Sequence, residues 1–435
     1  MVFENITPGV PDPMFTLKAR ADADQHPDKV DLGVGIYRNA QGQYEGLNCI
    51  AKAKKVLDAA NLGHDYELTT GNAEFLSKAA RVLLGQDLAS SDKLKSVQTI
   101  SGTGAVHLAA LFIANYLAPE TKVYVGVPTW GNYRPTFELV GKQVTEFPYI
   151  KTSIRAYDHE STIATIASAP PSSVFILQAC CHNPTGLDPT PEQWNEILDK
   201  IEQGNHLPLF DIAYQGLGKG MAEDAYAVRE CVRRGIEAFI CQSFSKNFAI
   251  YGERCGALHV TCKTAQAATN VHDRLRCLIR WEVSSSPAYG SRLVNIVLGS
   301  DELQKEWQTQ LTFMRSRIQD NRAQLWHYIT KVLQVPGKWD HMEHEQGLFS
   351  YLPLTPAQCR QLVSKHHIHL PESGRINVSG LSEDNIPRVA QAIESVVGSS
   401  GGRKESGMVS QAAGNEKSRL SAAVSLKEIT ARPSL

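Results

Sequence analysis

The sequence predicts an α/β protein in which a large domain with a mostly parallel sheet flanked by helices carries a smaller α+β domain. Between about residues 46 and 300, short apolar runs alternate with helical patterns, which is typical of a parallel sheet. Beyond about residue 300, a long helical pattern is followed by shorter strand and helix patterns, which indicates the smaller domain. With 435 residues, of which 42% are hydrophobic, the chain is long enough for two or three substantial cores.

Composition and charge exclude several classes of protein. The formal net charge of -1 creates no global field for nucleic acid or anionic lipid. No apolar run reaches the roughly 18 residues that span a bilayer. The nine cysteines lack metal-ligand spacing, and Cys180, Cys181 and Cys241 lie in apolar stretches where a free thiol behaves as a small hydrophobe. We therefore expect small-molecule substrates, a reducing compartment, and no nucleic-acid, membrane or metal partner.

The two ends of the chain carry their own predictions. Prolines at positions 8, 11 and 13 favour an extended N-terminal arm over residues 1–13, of the kind that reaches a partner subunit. No basic apolar leader precedes it, so the cytoplasm is the expected location. Residues 433–435 match a peroxisomal address only in the final leucine. Residues 398–435 are rich in Ser, Gly, Ala and Lys, and we expect a disordered tail.

Six apolar runs are the predicted strands of the large domain, residues 46–300. These runs cover residues 97–100, 123–127, 174–177, 207–210, 238–241 and 256–260. Polar segments follow five of them, at residues 101–104, 128–130, 182–186, 211–214 and 243–246. Because ligands bind at the carboxyl ends of strands in such sheets, these segments are expected to converge on one site.

The small domain is predicted from residues 14–45 and 301–397. Its elements are a long helix over 303–333, a strand over 347–352, a helix over 356–367, a strand over 375–378 and a last helix ending near 397. In the first part, Gly33 and Gly35 indicate either a strand end whose backbone approaches a neighbour closely or a simple turn.

Lys246 lies between two predicted buried strands, in the segment 243–254. Burial disfavours the ammonium form and lowers the lysine pKa, so the amine becomes available for a Schiff base with a carbonyl compound or pyridoxal phosphate. Ser243, Ser245 and Arg254 stand close by as donors suited to a phosphate. We therefore predict that Lys246 carries pyridoxal 5'-phosphate as an aldimine.

Other strand ends supply residues that fit this hypothesis. Residues 101–104 lie at the start of a predicted helix, where amides and hydroxyls favour an anion. Asp211 fits either a helix N-cap or a partner that keeps a pyridine nitrogen protonated, and Tyr214 fits a donor to the ring oxygen. Arg280 and Arg375 are candidates for carboxylate binding, because a guanidinium matches a carboxylate bidentately.

Two further motifs are set aside. The Ser-x-x-Lys pattern of penicillin-binding enzymes ends at Lys246, but its companion motifs are absent. Histidines at 341, 344, 366, 367 and 369 lack the spacing of zinc sites, so we expect solvated or core histidines and no metal.

Together these motifs resemble the class I aspartate aminotransferases, within the fold-type I pyridoxal phosphate enzymes. The resemblance extends to about residue 397 and is most specific in the segments 182–186 and 243–254. It implies that Lys246 forms the internal aldimine and moves the proton, and that Asp211 pairs with the pyridine nitrogen. The other cofactor contacts that it implies come from Tyr214, Asn183, Trp130, Ser101, Gly102, Thr103, Ser243, Arg254 and, from the neighbouring subunit, Tyr66.

The resemblance also implies a substrate site and a homodimer. Arg375 would bind the α-carboxylate, and Arg280 of the partner subunit would bind the distal carboxylate of aspartate or glutamate. Gly35, Trp130 and Asn183 would complete the substrate site. The implied reaction is a ping-pong exchange of nitrogen between an amino acid and a 2-oxo acid such as 2-oxoglutarate or oxaloacetate, in active sites shared by two subunits.

Three positions depart from the family pattern. Tyr133 and Gln178 replace histidines that normally support the aspartate beside the ring, which predicts a rebuilt environment for Asp211. Glu282 stands two residues after Arg280, and it would compete for the guanidinium if the two side chains face each other.

Two alternatives stay open. The first keeps the cofactor and changes the reaction, either to an aminotransferase of a specialised pathway acting on an aromatic or other amino acid, or to a lyase, and Glu282 favours it. The second is a non-enzymatic scaffold on an inherited fold. A scaffold has no physical need of Lys246, Asp211, Tyr214 and Arg254 together.

Overall fold

A computed structural model describes residues 2–398 of the chain. Its strands are β1 (Val30–Asp31), β2 (Leu94–Ile100), β3 (Val123–Val127), β4 (Val144–Pro148), β5 (Ile150–Lys151), β6 (Ala156–Tyr157), β7 (Val174–Gln178), β8 (Leu207–Ile212), β9 (Ala238–Ser243), β10 (Cys255–Thr261), β11 (Phe349–Tyr351), β12 (Ile368–His369) and β13 (Arg375–Asn377). Its helices are α1 (Pro13–Ala23), α2 (Asn48–Ala60), α3 (Ala73–Leu84), α4 (Gln86–Ala89), α5 (Ser101–Tyr116), α6 (Tyr133–Leu139), α7 (His159–Ser168), α8 (Pro191–Gln203), α9 (Tyr226–Arg233), α10 (Ala265–Glu282), α11 (Ala288–Leu298), α12 (Asp301–His327), α13 (Pro356–His366) and α14 (Ile386–Gly398).

A seven-stranded sheet forms the centre of the molecule, in the order β2-β10-β9-β8-β7-β3-β4. Neighbouring strands from β9 to β4 are parallel, whereas β10 runs antiparallel to both β2 and β9. All six residues of β9 are buried, as expected for a strand covered on both faces. The predicted fold class is therefore confirmed.

The edge strand β4 was missed by the sequence analysis. It pairs only with β3, and two of its five residues are buried. A short strand with Thr145 and Glu146 in its middle and Pro148 at its end carries little apolar signal, and proline is tolerated there because one side of an edge strand is unpaired. The six predicted strands are all present, with ends that differ by up to three residues.

Alternate residues of the central strands lie in two apolar cores on opposite faces of the sheet, because successive side chains of a strand point to opposite faces. Leu209 and Phe239 belong to the core that α5 and α10 cover. Phe210 and Ile240 belong to the larger core, to which α3, α8 and α12 contribute. The sheet is thus held between two helical layers, and its carboxyl edge stays open for polar groups.

Shorter sheets bring distant parts of the chain together outside the central sheet. Strand β1 pairs in parallel with β12, and β11 pairs antiparallel with β13. The long predicted helix ends earlier than expected, because α12 stops at His327 and a π-helical turn over Tyr328–Val332 follows. The division into a large and a small domain stays a prediction. The predicted tail lies outside the described residues from position 399 onward.

The N-terminal arm is held at its end by a helix cap. Asp12 accepts hydrogen bonds from the backbone N–H groups of Met14 and Phe15, at 2.8 and 3.1 Å from its Oδ1, so α1 begins at Pro13. None of the helices within residues 2–398 combines the length and the apolar character needed to cross a bilayer.

The side chains that invited a metal interpretation serve the fold. His367 and His369 both bond to Oδ2 of Asp24, at 2.9 and 2.8 Å. Within the described part of the chain, Cys180, Cys181 and Asp224 lie close enough to share an ion. The Asp224 carboxylate, however, already accepts hydrogen bonds from four backbone N–H groups of residues 216–220.

Candidate active site

The carboxyl ends of the central strands meet at one edge of the sheet. Gln178 at the end of β7 is the register partner of Asp211 in β8, and Asp211 is the partner of Cys241 in β9. Antiparallel β10 starts at the same edge, where Gly256 faces Ser243. The predicted convergence of polar segments therefore follows directly from the strand register.

An anion cradle lies where β2 turns into α5. Ser101 adopts the left-handed backbone conformation with φ 62° and is the first residue of the helix. Its Oγ lies 2.8 Å from Oγ of Ser245 and 3.3 Å from Oγ of Ser243. A Cβ on Gly102 would lie 3.0 Å from Cβ of Ser243, so only glycine leaves the helix start this close to the neighbouring turn. Hydroxyls gathered at a helix N-terminus suit a phosphate.

Arg254 and Thr103 flank this cradle. Arg254 has φ 53°, and its Nη1 donates to the backbone carbonyl of Tyr251 at 2.8 Å. This hydrogen bond restrains the orientation of the guanidinium. Thr103 is exposed in the first turn of α5. The cradle thus combines serine hydroxyls with a helix N-terminus, and the predicted contribution of Arg254 would add the cation that a phosphate also favours.

Lys246 is enclosed beside Tyr214. Its Nζ lies 5.0 Å from the centre of the Tyr214 ring. Burial lowers the pKa of Lys246, the nearby Arg254 lowers it further, and Asp211 opposes the shift. The amine is therefore more available in its uncharged, nucleophilic form than that of an exposed lysine.

Asp211 presents one satisfied and one unsatisfied oxygen. The phenol of Tyr133 donates to Oδ2 at 2.6 Å, while Oδ1 is shut off from solvent and has no hydrogen-bond partner among the described residues. Burial raises the pKa of Asp211, and both the Tyr133 hydrogen bond and the charge of Lys246 oppose that rise. Since buried acceptors are almost always paired, Oδ1 calls for a donor, and a protonated pyridine nitrogen fits this requirement.

Gln178 supports the neighbouring loop and not Asp211. Its Oε1 accepts from the backbone N–H of Asn183 at 2.8 Å, and its Nε2 donates to the Asn183 carbonyl at 3.0 Å. The same Nε2 donates to Oγ1 of Thr129 at 3.2 Å. Gln178 therefore ties Asn183 to the segment that carries Trp130, which is half-buried and packs edge-on against Tyr133. Of the two departures predicted to rebuild the Asp211 environment, only Tyr133 bonds to the carboxylate.

Arg375 is a half-buried cation without a carboxylate partner within residues 2–398. Its Nη1 and Nη2 donate to Oδ1 of Asn183 at 3.2 Å and to the carbonyl of Gly33 at 2.7 Å, and its Nε has no partner. The guanidinium carbon lies 4.4 Å from the ring centre of Phe349, and burial lowers the arginine pKa. A Cβ on Gly35 would come within 2.8 Å of the Phe349 ring, so glycine preserves this platform. An anionic ligand is the partner that such a site favours.

Tyr66 and Arg280 are exposed in the protomer. Tyr66 is 86% exposed, and Arg280 donates from Nη1 to Oγ of Ser284 at 2.5 Å. Glu282 does not compete for Arg280, because residues i and i+2 of a helix point to different sides and the Glu282 carboxylate lies 3.4 Å from Nε2 of His107. Within the described residues the Arg280 guanidinium therefore bonds to a serine hydroxyl and not to a carboxylate.

The similarities to known proteins agree with this geometry. Residues 27–393 match the family model "Aminotransferase class I and II". The chain belongs to this family. It is 40% identical over 398 residues to aminotransferase tasG of Hapsidospora irregularis, covering 91% of this chain and 97% of that protein. It is also 40% identical over 407 residues to the cytoplasmic aspartate aminotransferase of Saccharomyces cerevisiae, with coverages of 91% and 97%.

A solved structure gives the same result for the fold. The aromatic-amino-acid aminotransferase of Burkholderia pseudomallei, covalently bound to pyridoxal phosphate, superposes with a TM-score of 0.88 at 33% identity, over 91% of this chain and 100% of that one. These similarities confirm three predictions for this member of the class I and II aminotransferases: the reaction is a transamination, the protein is an aminotransferase, and the cofactor is pyridoxal phosphate. The roles of individual residues stay predictions.

Two contributors to this aminotransferase site escaped the sequence analysis. Phe349 forms the platform under Arg375, and the Tyr251 phenol accepts from the backbone N–H of Tyr37 at 2.9 Å, which joins the segment after Lys246 to the first part of the chain. Phe349 lies in a predicted strand with no local mark of function. Tyr251 lies inside the segment 243–254, which was already predicted to contribute to the site, and this position was the available signal for its role.

The burial of His182, next to Asn183, predicts that the folded protein loses stability in acid. It stacks on Tyr149 with ring centres 3.7 Å apart, and burial lowers its pKa to about 3. The unfolded chain binds a proton at this residue below about pH 6.5, whereas the folded chain does so only near pH 3, so stability falls as the pH drops through this interval. At pH 5 the expected loss from this residue is about 2 kcal/mol.

Urea unfolding at about pH 7.5 and pH 5 measures this loss. The difference in unfolding free energy between the two pH values is expected to shrink in His182→Asn. The exposed His64 serves as control, because His64→Asn removes a histidine without changing a buried one. Equal pH dependence in wild type and His182→Asn would contradict the assignment.

Proposed function

We propose that this aminotransferase exchanges nitrogen between aspartate or glutamate and the 2-oxo acids 2-oxoglutarate or oxaloacetate, by a ping-pong mechanism. The observation that carries the proposed site is Oδ1 of Asp211. This buried carboxylate oxygen has no hydrogen-bond partner among the described residues, and it lies at the edge of the sheet where β9 leads into the segment of Lys246. The aspartate aminotransferases among its relatives support the choice of dicarboxylic substrates.

Each side chain of the site has a physical role in this proposal. Pyridoxal phosphate, when bound, supplies the carbonyl carbon that takes the amino group and the ring that withdraws electrons. Ser101, Ser243 and Arg254 would hold its phosphate, with Gly102 and Thr103 at the helix start. Asp211 would accept a hydrogen bond from the protonated ring nitrogen, because its Oδ1 has no other partner.

Lys246 provides both the attachment and the proton transfer. Burial lowers the pKa of its amine, which favours the uncharged, nucleophilic form. With substrate bound, the Lys246 amine would accept the proton from the substrate Cα and donate it again, as general base and then general acid. Tyr214, whose ring lies against Nζ, and Asn183 would bond the ring oxygen, and Trp130 would stack on the ring.

Arg375 would bind the α-carboxylate of the substrate. The guanidinium is already oriented by Asn183 and Gly33, so binding costs little reorganisation. Asn183 and Gly33 come from the predicted large and small domains, residues 46–300 and 14–45. Arg375 therefore joins both domains at the substrate, which supports a closure of the small domain that excludes water.

We further propose a homodimer with shared active sites. Tyr66 and Arg280 of the partner subunit would complete the phosphate and distal carboxylate sites. The surface that carries these two residues in the protomer also exposes large apolar side chains, since Leu68 and Trp281 are each 69% exposed. Monomeric proteins rarely leave such patches uncovered, and a second copy would cover them. The exposed N-terminal arm would reach the same partner.

The proposed location is the cytoplasm. A curated relative with 40% identity is the cytoplasmic enzyme of Saccharomyces cerevisiae, although a mitochondrial enzyme of Dictyostelium discoideum matches at 39%. The peroxisomal alternative rests on residues 433–435, which lie outside the described part of the chain.

Arg280→Ala tests the choice of substrate. The kcat/KM for aspartate and glutamate is expected to fall by the equivalent of roughly 2 to 5 kcal/mol, the scale for removing one member of a buried charge pair. The kcat/KM for phenylalanine and alanine is expected to change little, because these substrates have no distal carboxylate. A panel of amino acids assayed against 2-oxoglutarate measures both values.

Arg276→Ala is the matched control, because Arg276 lies one turn earlier on α10 and pairs with Asp273 at the surface. Mixed dimers test whether Arg280 acts across the subunits. Lys246→Ala and Arg280→Ala chains are each defective alone, but a hybrid has one site with both residues intact if Arg280 comes from the partner. Failure of the mixture to recover activity toward aspartate would overturn the shared site, and an unchanged kcat/KM for aspartate in Arg280→Ala would overturn the substrate.

A further inference from the structure

We propose that Tyr133 is a positioning residue that orients Asp211 and controls whether the shared proton stays on the pyridine nitrogen of the cofactor. The inference rests on the proposed function, because it requires Asp211 to face that nitrogen. It assigns a role to a residue at which this chain departs from the histidine that is usual in its family.

The contact between the two side chains is short and enclosed. Tyr133 opens α6 and has no solvent exposure. Its phenol donates to Oδ2 of Asp211 at 2.6 Å, and its ring packs edge-on against Trp130 with centres 5.1 Å apart. A buried phenol with this one hydrogen bond cannot turn away without leaving two polar groups unpaired, so it holds the carboxylate in one orientation.

No other described side chain makes this hydrogen bond. Cys241 from β9 is the register partner of Asp211, but burial raises the pKa of its thiol well above the usual range, so it stays neutral. Lys246 and Tyr214 approach from the segments after β9 and β8, and Lys246 acts on Asp211 through its charge. Gln178 from β7 is committed to Asn183. Burial raises the pKa of Asp211, and Tyr133 is the described hydrogen-bond donor that opposes this rise.

The consequence for the cofactor follows from the direction of this hydrogen bond. A donor to a carboxylate stabilises its charged form. Without it, Asp211 becomes more basic and draws the shared proton from the ring nitrogen toward itself. The ring then loses its positive charge and withdraws electrons less strongly. The imine between Lys246 and the cofactor becomes more basic in turn, so its own pKa rises.

The test is a pH titration of the visible absorbance of the holoenzyme without substrate. In Tyr133→Phe the midpoint is expected to rise by about one pH unit or more, as follows from the loss of one hydrogen bond to a buried charge. The variant is also expected to lower kcat by roughly tenfold or more with little change in KM, because the substrate carboxylates bind elsewhere. Tyr133→His restores a donor and should move the midpoint back toward wild type.

Tyr149→Phe is the matched control. Tyr149 is also buried and its phenol also makes one short hydrogen bond, to the carbonyl of Leu187 at 2.7 Å, but it does not touch Asp211. This variant should leave the midpoint unchanged. An equal shift in Tyr149→Phe, or no shift in Tyr133→Phe, would overturn the inference.

A second substitution tests the inference without removing the hydrogen bond. Site-specific 3-fluorotyrosine at position 133 keeps the shape and makes the phenol a stronger donor, so the midpoint should move down, opposite to the phenylalanine variant. An unmoved or raised midpoint would overturn the inference even if Tyr133→Phe does not fold. Absence of any visible band in wild type with pyridoxal phosphate would instead overturn the proposed cofactor site.

Discussion

Lys246→Ala is expected to lower kcat by roughly 10⁴-fold or more, at the upper end of what a positioned proton-transfer group contributes. In the proposed mechanism the variant loses two functions at once, since the same amine would attach the cofactor and would move the proton at the substrate Cα. Its lowered pKa and enclosed position beside Tyr214 are what fit it for both. Single-turnover kinetics with aspartate measures the loss.

The loss should be chemical and not structural. Lys246→Ala is expected to bind pyridoxal phosphate without the visible band of a lysine imine, and a small primary amine in solution should restore part of the rate. Lys219→Ala is the control, because Lys219 is an exposed lysine after the neighbouring strand. A visible imine band that persists in Lys246→Ala would place the attachment on another lysine.

Asp211→Asn is expected to reduce kcat by roughly 10²- to 10⁴-fold, which corresponds to the ~3–5 kcal/mol for breaking a buried charge pair. The asparagine amide cannot carry the negative charge that keeps the ring nitrogen protonated. The substitution also removes the carboxylate charge that raises the pKa of Lys246. KM should change less than kcat, because in the proposed site Arg375 would bind the substrate independently of Asp211.

Asp211→Glu separates charge from position. It keeps the carboxylate but lengthens the side chain in a site where Tyr133 already lies 2.6 Å from Oδ2, so only part of the rate should return. Steady-state kinetics of both variants, with the visible spectrum as a check that the cofactor is bound, measures the two effects. If Asp211→Asn stays within about tenfold of wild type, Asp211 does not pair with the ring nitrogen.

The sequence was sufficient for features that depend on local pattern. Apolar runs of four or five residues identified six strands of the central sheet, and the polar segments after them identified the edge where the site lies. Lys246, Ser243 and Arg254 could be predicted together as cofactor-binding residues because they share one short segment. The edge strand β4 was missed for the same reason, since its five residues carry little apolar pattern.

The expected competition of Glu282 for the Arg280 guanidinium is a feature that proximity in the sequence could not decide. Two residues apart in the sequence, they were expected to interact if their side chains faced each other. The helix α10 separates them by its own geometry, and His107 on α5 lies against the Glu282 carboxylate. Adjacency in the sequence indicated a conflict that the tertiary structure removes.

What the sequence by itself determined is the fold class and the order of strands and polar segments, because each follows from short-range patterning of apolar and polar residues. The role of Lys246 was predicted from the same patterning and stays a prediction. What only the tertiary structure decided is the set of long-range contacts: Tyr133 with Asp211, 78 residues apart, and Arg375 with Asn183, 192 residues apart. Such contacts depend on strand register and on side-chain packing between distant segments, which no local pattern encodes. Among the described residues, Oδ1 of Asp211 has no hydrogen-bond donor and the guanidinium of Arg375 has no carboxylate partner. The first therefore suits a donor of a ligand, and the second suits an anionic group of a ligand.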